Sequence, residues 1–307
     1  MRGRCASEGV ILIVPGTTIP GLIILDIDGT ILGRDRDVSA RTRSAITLAR
    51  LRGLTVTLAT GRSLATTQAI AEMLDLTNVP LILHNGALAL TIRDGEIHFH
   101  HHLASAAARR AVTIIERHGC QPMVYENLFR GGGIVTGHTS RDSAYTRRYL
   151  ATKTHFDRVD DVASAIVEDP IQLAVADDND RIAPLLSDLS RGPWTAVTSM
   201  STAIPDARFL EVLSPRASKG IAAAILAKRF GVAPSHVLAI GDNYNDVDLL
   251  AFAGIGVAMG NAPDDVRALA DWVAPTVDED GAAIAIERFA LATTNRGVPA
   301  RAGDWSG

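Results

Sequence analysis

The chain has 307 residues, 47% of them hydrophobic and 5% aromatic, with a formal net charge of −4. This length suits one large or two modest domains, and the weak negative charge and scarce aromatic side chains argue against a nucleic-acid-binding surface. No apolar run approaches the roughly 20 residues that span a bilayer. The only cysteines, Cys5 and Cys120, lack metal-type spacing and fit a reducing, cytoplasmic environment.

The two ends of the chain predict little regular structure. Residues 1–20 contain an apolar run over 10–14 that is too short for the core of a signal peptide. They could form an edge strand or a disordered leader, or they could reflect a start placed too early. Residues 293–307 are rich in Gly, Pro and polar residues, which predicts a disordered tail.

From residue 21 the sequence alternates between strand and helix patterns. The predicted elements are a strand over 21–25, a helix capped by Ser39 and ended by Gly53, a strand over 54–58, a helix over 64–74 and a strand over 80–83. This βαβαβ order is typical of α/β proteins with a doubly wound, mostly parallel sheet, so we predict a Rossmann-like core. The working groups of such sheets collect at the carboxyl ends of the strands.

The pattern becomes irregular from residue 89. A β-hairpin is predicted over 88–99 with its turn at Gly95, and helical and strand-like pieces then follow without regular order. We interpret residues 89–205 as an α+β cap domain inserted into the core, and we expect it to recognise the substrate's leaving group.

Regular alternation resumes after residue 205. The predicted elements are a strand over 209–213, a helix over 219–230 capped by Ser218, a strand over 237–240, a helix from 247, and strands over 254–258 and 271–274. The catalytic core is therefore predicted to comprise residues 21–88 and 206–292.

Two carboxylates follow the first predicted strand. Asp26 and Asp28 are separated by one residue, and alternation along an extended chain points both side chains the same way. Gly29 then allows a sharp turn. Such a pair suits a divalent cation and a nucleophilic oxygen, although Asp-x-Asp-Gly is also common as a simple turn.

Polar residues at other strand ends would complete a site for phosphoryl transfer. Asp26 would be the nucleophile, and Asp28 would protonate the leaving alcohol and then deprotonate water. Thr60 offers a hydroxyl to phosphate oxygens, and Lys219 supplies a compact positive charge. Asp242 would join Asp26 in an oxygen-only site that suits Mg²⁺.

Each of these residues also has a simpler structural interpretation. Thr60 could cap the following helix, Lys219 could be a solvated lysine at a helix start, and Asp242 could belong to an ordinary strand-to-helix turn. His84-Asn85-Gly86 is interpreted as a turn with a structural hydrogen bond, and a direct role in substrate binding is the less favoured alternative. The catalytic interpretation is favoured because all four features fall at one rim of the predicted sheet.

Four motifs carry a resemblance to a known family. They are, in order, Asp26-Ile-Asp28-Gly-Thr30, Thr60-Gly61-Arg62, Lys219-Gly220 and Gly241-Asp242-Asn-Tyr-Asn245-Asp246. Together they resemble the motifs of the haloacid dehalogenase superfamily. With His84-Asn85-Gly86 and a long insert before Lys219, the chain resembles the Cof-type phosphatases of small metabolites over about residues 21–290.

The resemblance implies a role for each motif residue. It implies Asp26 as nucleophile, Asp28 as acid/base, and Mg²⁺ bound by Asp26, the backbone carbonyl of Asp28 and Asp242. It implies phosphate binding by Thr60, Gly61, Lys219 and Asn245, with Asp246 and Asn85 in support. In this superfamily, an Asp two residues after the nucleophile is typical of phosphatases and phosphomutases.

Three functions remain open at this point. We expect Mg²⁺-dependent hydrolysis of small phosphorylated metabolites, sugar phosphates in particular. A phosphomutase resembling phosphomannomutase shares the core and the Asp pair. A non-catalytic sensor of phosphorylated ligands is the third, although a pure binder needs neither nucleophile nor acid.

Two groups in the insert have no assigned role. Glu126, Arg130, Arg141 and Arg147 are candidates to reach the substrate, although a solvated surface position is the favoured account for any one of them. His98, His100, His101 and His102 resemble a metal-binding cluster, but a histidine run at a hairpin end is expected to be solvated.

Overall fold

A computed structural model of the chain describes residues 20–33, 35, 37–126, 133–201 and 204–292. The expected leader before residue 20, the expected tail from residue 293 and Arg130 lie outside the described residues. The strands are β1 (Leu22–Leu25), β2 (Thr55–Leu58), β3 (Pro80–Leu83), β4 (Leu88–Thr91), β5 (Ile97–His100), β6 (Met123–Tyr125), β7 (Ile134–Thr136), β8 (Asp157–Arg158), β9 (Gln172–Asp177), β10 (Thr195–Ser201), β11 (Ile204–Leu213), β12 (Val237–Gly241), β13 (Ile255–Ala258) and β14 (Trp272–Val273). The helices are α1 (Ala40–Leu51), α2 (Leu64–Met73), α3 (Ser105–Arg117), α4 (Ala144–Leu150), α5 (Val162–Ala165), α6 (Asn179–Leu189), α7 (Lys219–Arg229), α8 (Val247–Phe252), α9 (Asp264–Leu269) and α10 (Gly281–Ile286).

Five parallel strands form the core sheet, in the order β14-β13-β12-β1-β2. All four side chains of β1 are buried, and they alternate between the two faces. Ile23 and Leu25 pack in a cluster with residues of α1 and α10, whereas Leu22 and Ile24 pack in one with residues of α7 and α8. Helices therefore cover both faces of the sheet, which confirms the predicted doubly wound α/β fold.

The hairpin predicted over 88–99 is joined to the core sheet rather than to the sheet of the insert. β4 pairs antiparallel with β3, and β5 pairs antiparallel with β4. β3 contacts the core sheet through a parallel bridge between Ala59 and Ile82. The predicted boundary at residue 89 therefore falls inside a continuous three-stranded sheet, and the insert begins later than the sequence indicated.

A second, six-stranded sheet forms the insert, in the order β10-β11-β9-β6-β7-β8. Neighbouring strands are antiparallel except for β7 and β8. One face, which carries Leu173 and Leu210, packs against α3, α5 and α6. The other face carries Tyr125, Phe209 and Glu211 and lines a cavity together with residues of the core.

The strand β11 places the second boundary later than predicted. The sequence assigned residues 209–213 to the core, but β11 pairs along its length with β9 and β10. The sheet of the insert thus extends to Leu213 rather than ending at residue 205. The pattern of an apolar strand does not specify which sheet the strand joins, because both sheets bury their strands.

The helices of the described residues are short. α3, the longest of them, has 13 residues, whereas a bilayer requires about 20. No helix in this part of the chain combines the length and the apolar character needed to cross a membrane.

Candidate active site

The strand β1 brings Asp26 to the rim of the core sheet, next to the end of β12. The backbone N–H of Asp26 donates to the carbonyl of Ile240 at 3.0 Å, so the pairing with β12 continues to this point. Gly29 follows with φ of +79°, and a Cβ atom there would overlap with Oδ2 of Asp242. Glycine at this position therefore lets the loop after β1 approach Asp242 closely.

Lys219 is the first residue of α7 and is completely buried. Ser218 caps this helix, since its hydroxyl accepts the N–H of Ile221 at 3.1 Å. Nζ of Lys219 donates to Oδ1 of Asp26 at 2.7 Å and to Oδ1 of Asp246 at 2.6 Å. Burial lowers the pKa of Lys219, but the carboxylates of Asp246 and Asp26 outweigh it and raise the pKa above its ordinary value. The lysine is therefore charged.

Asp246 connects Lys219 to the loop after β12. Its second oxygen, Oδ2, accepts the backbone N–H groups of Asp242 at 3.0 Å and Asn243 at 3.1 Å. One carboxylate thus holds both the lysine and the backbone that carries Asp242. This is the geometry of a supporting residue.

Asp26, Asp242 and Asp246 form a buried group whose carboxylate oxygens lie within 4.8 Å of one another. Burial raises the pKa of Asp242 well above its ordinary value, and the charges of Asp26 and Asp246 raise it further. Burial also raises the pKa of Asp26 to about 7, although Lys219 opposes this. Three buried carboxylates that share one lysine carry excess negative charge, which a divalent cation would neutralise. The all-oxygen donor set fits Mg²⁺.

Asn261 lies in the loop over 259–262, which the resemblance implies is near the phosphate, and it supports Asp242. Its Nδ2 donates to Oδ2 of Asp242 at 3.2 Å and to the carbonyl of Gly29 at 2.9 Å. Its Oδ1 accepts the N–H of Val277 at 2.9 Å. Asn261 therefore joins the loops after β1 and β13; the sequence predicted that its loop is near the phosphate but not that it contacts Asp242.

Asp28 is paired with Arg62 in a bidentate ion pair. Nε of Arg62 donates to Oδ2 of Asp28 at 2.6 Å, and a terminal nitrogen donates to Oδ1 at 2.7 Å. The carboxylate of Asp28 lies outside the Asp26–Asp242–Asp246 group. The sequence placed Arg62 in a motif but gave it no role, and the structure shows that it orients the predicted acid/base.

The predicted phosphate-binding residues Thr60 and Asn245 meet at Asn85. The backbone N–H of Asn85 donates to the carbonyl of Thr60 at 2.9 Å, and Nδ2 of Asn245 donates to Oδ1 of Asn85 at 2.8 Å. His84 and Asn85 adopt left-handed conformations, with φ of +49° and +50°. Non-glycine residues persist in this conformation where the surroundings require it, frequently at functional sites. The turn His84-Asn85-Gly86 therefore carries more than the single structural hydrogen bond expected from the sequence.

A cavity of about 300 Å³ lies between these core residues and the insert. Its polar floor includes Asp26, Asp28, Thr60, Arg62 and Asn245. The insert contributes the opposite wall, which consists of Tyr125, Tyr149, Thr152, Lys153, Gln172, Ala174, Ser199, Met200, Phe209 and Glu211. The cavity thus places the predicted reacting groups of the core opposite a mixed aromatic and polar surface.

Three described residues of the insert that the sequence offered as candidates to reach the substrate, Glu126, Arg141 and Arg147, do not line this cavity. Arg141 forms a surface ion pair with Glu116 at 2.6 Å, and Arg147 donates to the carbonyl of Asp142 at 2.7 Å. Glu126 lies at a separate, much smaller cavity. The contacts of Arg141 and Arg147 fit the alternative of a solvated surface position, and loop position in the sequence does not reveal which face of the insert a side chain occupies.

Glu211 is the main cavity residue that the sequence analysis missed. It is 5% exposed, and the hydroxyl of Ser199 donates to its Oε2 at 2.8 Å. Burial raises the pKa of Glu211 to about 7, although hydrogen bonding by Ser199 and Asn85 and the charge of Lys219 lower it. A signal existed, since an acidic residue within the apolar run 209–213 is rarely buried without a reason.

The histidine run is half-buried rather than solvated as predicted. Nε2 of His98 lies 2.7 Å from the hydroxyl of Thr91, and the rings of His100 and His102 have centroids 3.6 Å apart. Within the described ranges, no group of three metal-type side chains includes these histidines.

Comparison with known proteins gives a consistent result. The family of haloacid dehalogenase-like hydrolases matches residues 23–286. Phosphatase YwpJ of Bacillus subtilis is 30% identical over 85% of this chain and 97% of the relative. The 5-amino-6-(5-phospho-D-ribitylamino)uracil phosphatase YcsE of the same organism is 28% identical over 88% of this chain and 96% of the relative.

One curated relative is much longer than this chain. The chloroplastic endoribonuclease YBEY of Arabidopsis thaliana is 28% identical over 88% of this chain, but the chain spans only 46% of its length. The name of that larger protein therefore gives no activity for this one.

A solved structure agrees with the sequence matches. A haloacid dehalogenase-like hydrolase from Bacteroides thetaiotaomicron has a TM-score of 0.71 and 26% identity, over 88% of this chain and 99% of that one. The fold, the family match and the phosphatase relatives bear out the resemblance seen in the four motifs. The chain belongs to the haloacid dehalogenase-like hydrolase family, and it is a phosphatase of that family.

Proposed function

We propose that this phosphatase hydrolyses small phosphorylated metabolites, sugar phosphates in particular, in a Mg²⁺-dependent reaction with Asp26 as nucleophile. The observation that carries the proposal is the meeting of Asp26, Lys219 and Asp242 in one buried group behind the cavity, which Asp26 lines, although Lys219 lies 193 positions after Asp26. A structural ion pair alone would not require a third carboxylate beside it.

In the first step, an oxygen of Asp26 attacks the phosphorus atom of the ester. The bond between phosphorus and the ester oxygen breaks, and Asp28 gives a proton to the departing oxygen. Lys219, bonded to Oδ1 of Asp26, orients the nucleophile and offsets negative charge as it develops on the phosphoryl oxygens. The products are an aspartyl phosphate and a free alcohol.

In the second step, water attacks the phosphorus atom of the aspartyl phosphate. Asp28, now ionised, takes a proton from this water, and the bond between phosphorus and the Asp26 oxygen breaks. Inorganic phosphate leaves, and the carboxylate of Asp26 is restored. The hydroxyl of Thr60, the backbone at Gly61 and the amide of Asn245 would hold the phosphoryl oxygens in both steps.

Asp26, Asp242 and the backbone carbonyl of Asp28 would hold Mg²⁺. When bound, the ion would neutralise charge on the phosphoryl group and on the clustered carboxylates. Asp246 would remain with Lys219 and with the backbone N–H groups that it already accepts.

The size and chemistry of the cavity support a small metabolite as substrate. A volume of about 300 Å³ lies at the lower end of small-molecule sites. Aromatic side chains from the insert lie beside polar ones, as expected for recognition of a sugar or polyol. The relative YcsE is named for a ribityl phosphate ester, which is a substrate of this class. The cytoplasmic location expected from the sequence stays a prediction.

The test is a turnover screen of the purified enzyme against a panel of phosphate esters, with Mg²⁺ and with EDTA. We expect phosphate release that requires the metal, and its loss in Asp26→Asn. The matched control is Asp160→Asn, whose side chain is fully exposed. Full activity of Asp26→Asn would reject the nucleophile. Isomerised hexose phosphate in the presence of a bisphosphate activator, without phosphate release, would instead indicate a phosphomutase.

A further inference from the structure

Asn85 and Glu211 face each other where the core and the insert meet. A Cβ atom placed on Gly61 would lie 3.1 Å from both polar atoms of the Asn85 amide and 3.3 Å from Oε1 of Glu211. The amide of the core turn and the carboxyl group of β11 therefore converge beside the loop that carries Thr60. The closest part of the leaving group would lie there if the phosphoryl group is bound at Thr60.

These groups have hydrogen-bonding capacity that the described protein atoms do not use. Nδ2 of Asn85 is buried and carries two N–H groups; it approaches Glu211 closely enough to lower the pKa of that carboxyl group, but it meets no described acceptor with good hydrogen-bond geometry. The carbonyl oxygen of the same amide is already engaged by Asn245. Glu211 keeps Oε2 on the hydroxyl of Ser199 and directs Oε1 towards Gly61. A buried donor without a partner is costly unless a ligand or water completes it.

We propose that Asn85 and Glu211 together bind a hydroxyl group of the leaving group close to the phosphoester. A hydroxyl both donates and accepts a hydrogen bond. Nδ2 of Asn85 supplies the donor and Oε1 of Glu211 supplies the acceptor. The inference rests on the proposed phosphatase function and adds to it the residues that choose the substrate.

The position of Asn85 and Glu211 explains how they would discriminate between esters with and without hydroxyl groups. An ester without hydroxyls would leave the remaining donor capacity of Asn85 and acceptor capacity of Oε1 of Glu211 without a ligand, and sites built to bind a hydroxyl reject analogues that lack it. One member comes from the core and the other from the insert. The pair therefore forms only while the insert lies against the core as in this structure.

The experiment compares two linear six-carbon substrates, sorbitol 6-phosphate and n-hexyl phosphate, which differ only in hydroxyl groups. We expect the wild type to favour sorbitol 6-phosphate in kcat/KM by about 10- to 100-fold. Glu211→Gln and Asn85→Asp should each move this ratio towards one, mainly by raising KM for sorbitol 6-phosphate. In Glu211→Gln, values for n-hexyl phosphate should change by less than about 3-fold, whereas Asn85→Asp is read only through the ratio of the two esters because Asn85 also contacts Thr60 and Asn245.

The variants are chosen to keep the fold. Asn85→Asp tolerates the left-handed conformation and retains an oxygen that accepts from Asn245, while it replaces the donor by a second acceptor oxygen and places a negative charge beside Glu211. Ser199→Ala tests the pair in a second way, because it removes the hydrogen bond to Oε2 of Glu211 without altering the carboxyl group. The matched control is Glu116→Gln, on the surface of the insert, which should leave both substrates unchanged.

Several outcomes would overturn the inference. A wild type that hydrolyses both esters equally well would remove the hydroxyl preference, while the phosphatase function would stand. Equal losses on both esters in folded variants would assign Asn85 and Glu211 a structural role only. Absence of turnover of the whole ester panel by the wild type would reject the proposed function itself.

Discussion

The guanidinium group of Arg62 forms a bidentate ion pair with the carboxylate of Asp28, at 2.6 and 2.7 Å. Both side chains line the cavity, and Asp28 is the proposed acid/base. The planar fork of an arginine matches the two carboxylate oxygens, whereas a lysine offers only a point charge. Arg62 therefore fixes the orientation of the Asp28 carboxylate at the cavity.

We expect Arg62→Lys to lower kcat/KM by about 10-fold or more, because the charge is kept but the bidentate geometry is lost. Steady-state kinetics on the best ester of the panel measures this. Arg141→Lys is the control, since Arg141 forms an exposed ion pair away from the cavity. Equal kinetics of the two variants would show that Arg62 has no orienting role.

Lys219→Met should destabilise the protein by about 3–5 kcal/mol, because it leaves the buried carboxylates of Asp26 and Asp246 without their cation. Urea unfolding in EDTA measures the change. Lys228→Met, at an exposed position of the same helix, should change stability by less than about 0.5 kcal/mol. If both variants are equally stable, the buried ion pairs do not hold the site together.

Asp242→Asn should raise the stability of the metal-free protein, since Asp242 is a third carboxylate buried beside Asp26 and Asp246. It should also abolish stabilisation by Mg²⁺, which for a bound ion at 100 times its Kd amounts to about 2.7 kcal/mol. Thermal unfolding with and without Mg²⁺ tests both effects. An unchanged response of the variant to Mg²⁺ would place the ion elsewhere.

Gly29→Ala should abolish turnover, because the new methyl group would displace Asp242. Gly53→Ala is its matched control, with φ of +82° and no atom within 4 Å of the added Cβ. Both variants impose a left-handed conformation on alanine, at a cost of about 1–2 kcal/mol. Only Gly29→Ala should lose activity, and equal activities would show that contact with Asp242 is unimportant.

Glu211 should make stability depend on pH. Its folded-state pKa of about 7 lies above the ordinary value of 4.5, so the folded state favours the protonated form. The stability that Glu211 contributes to the folded state is therefore fully present below about pH 4.5 and is lost as the pH rises through 7. Between pH 5 and 8 the wild type should lose up to about 3 kcal/mol relative to Glu211→Gln. Parallel unfolding curves of the two proteins across this range would contradict the prediction.

The catalytic core was predictable from the sequence because its signals are local. The apolar run Leu22–Leu25 has the pattern of a buried strand. The carboxylates that follow it are expected at the carboxyl end of a parallel strand, where the functional groups of such sheets collect. Ser218 similarly indicates the start of a helix, and therefore the place of Lys219. Periodicity and capping act within a few residues, so they can be recognised without the tertiary structure.

Contacts between residues that are distant in the sequence were determined only by the tertiary structure. The strand at 204–213 looks the same whether it joins the core or the insert, and its pairing with β9 places Glu211 in the cavity. The contacts of Arg62 with Asp28 and of Asn261 with Asp242 likewise join separate loops. Such contacts depend on how sheets and loops pack in space, and no local pattern of residues encodes that arrangement.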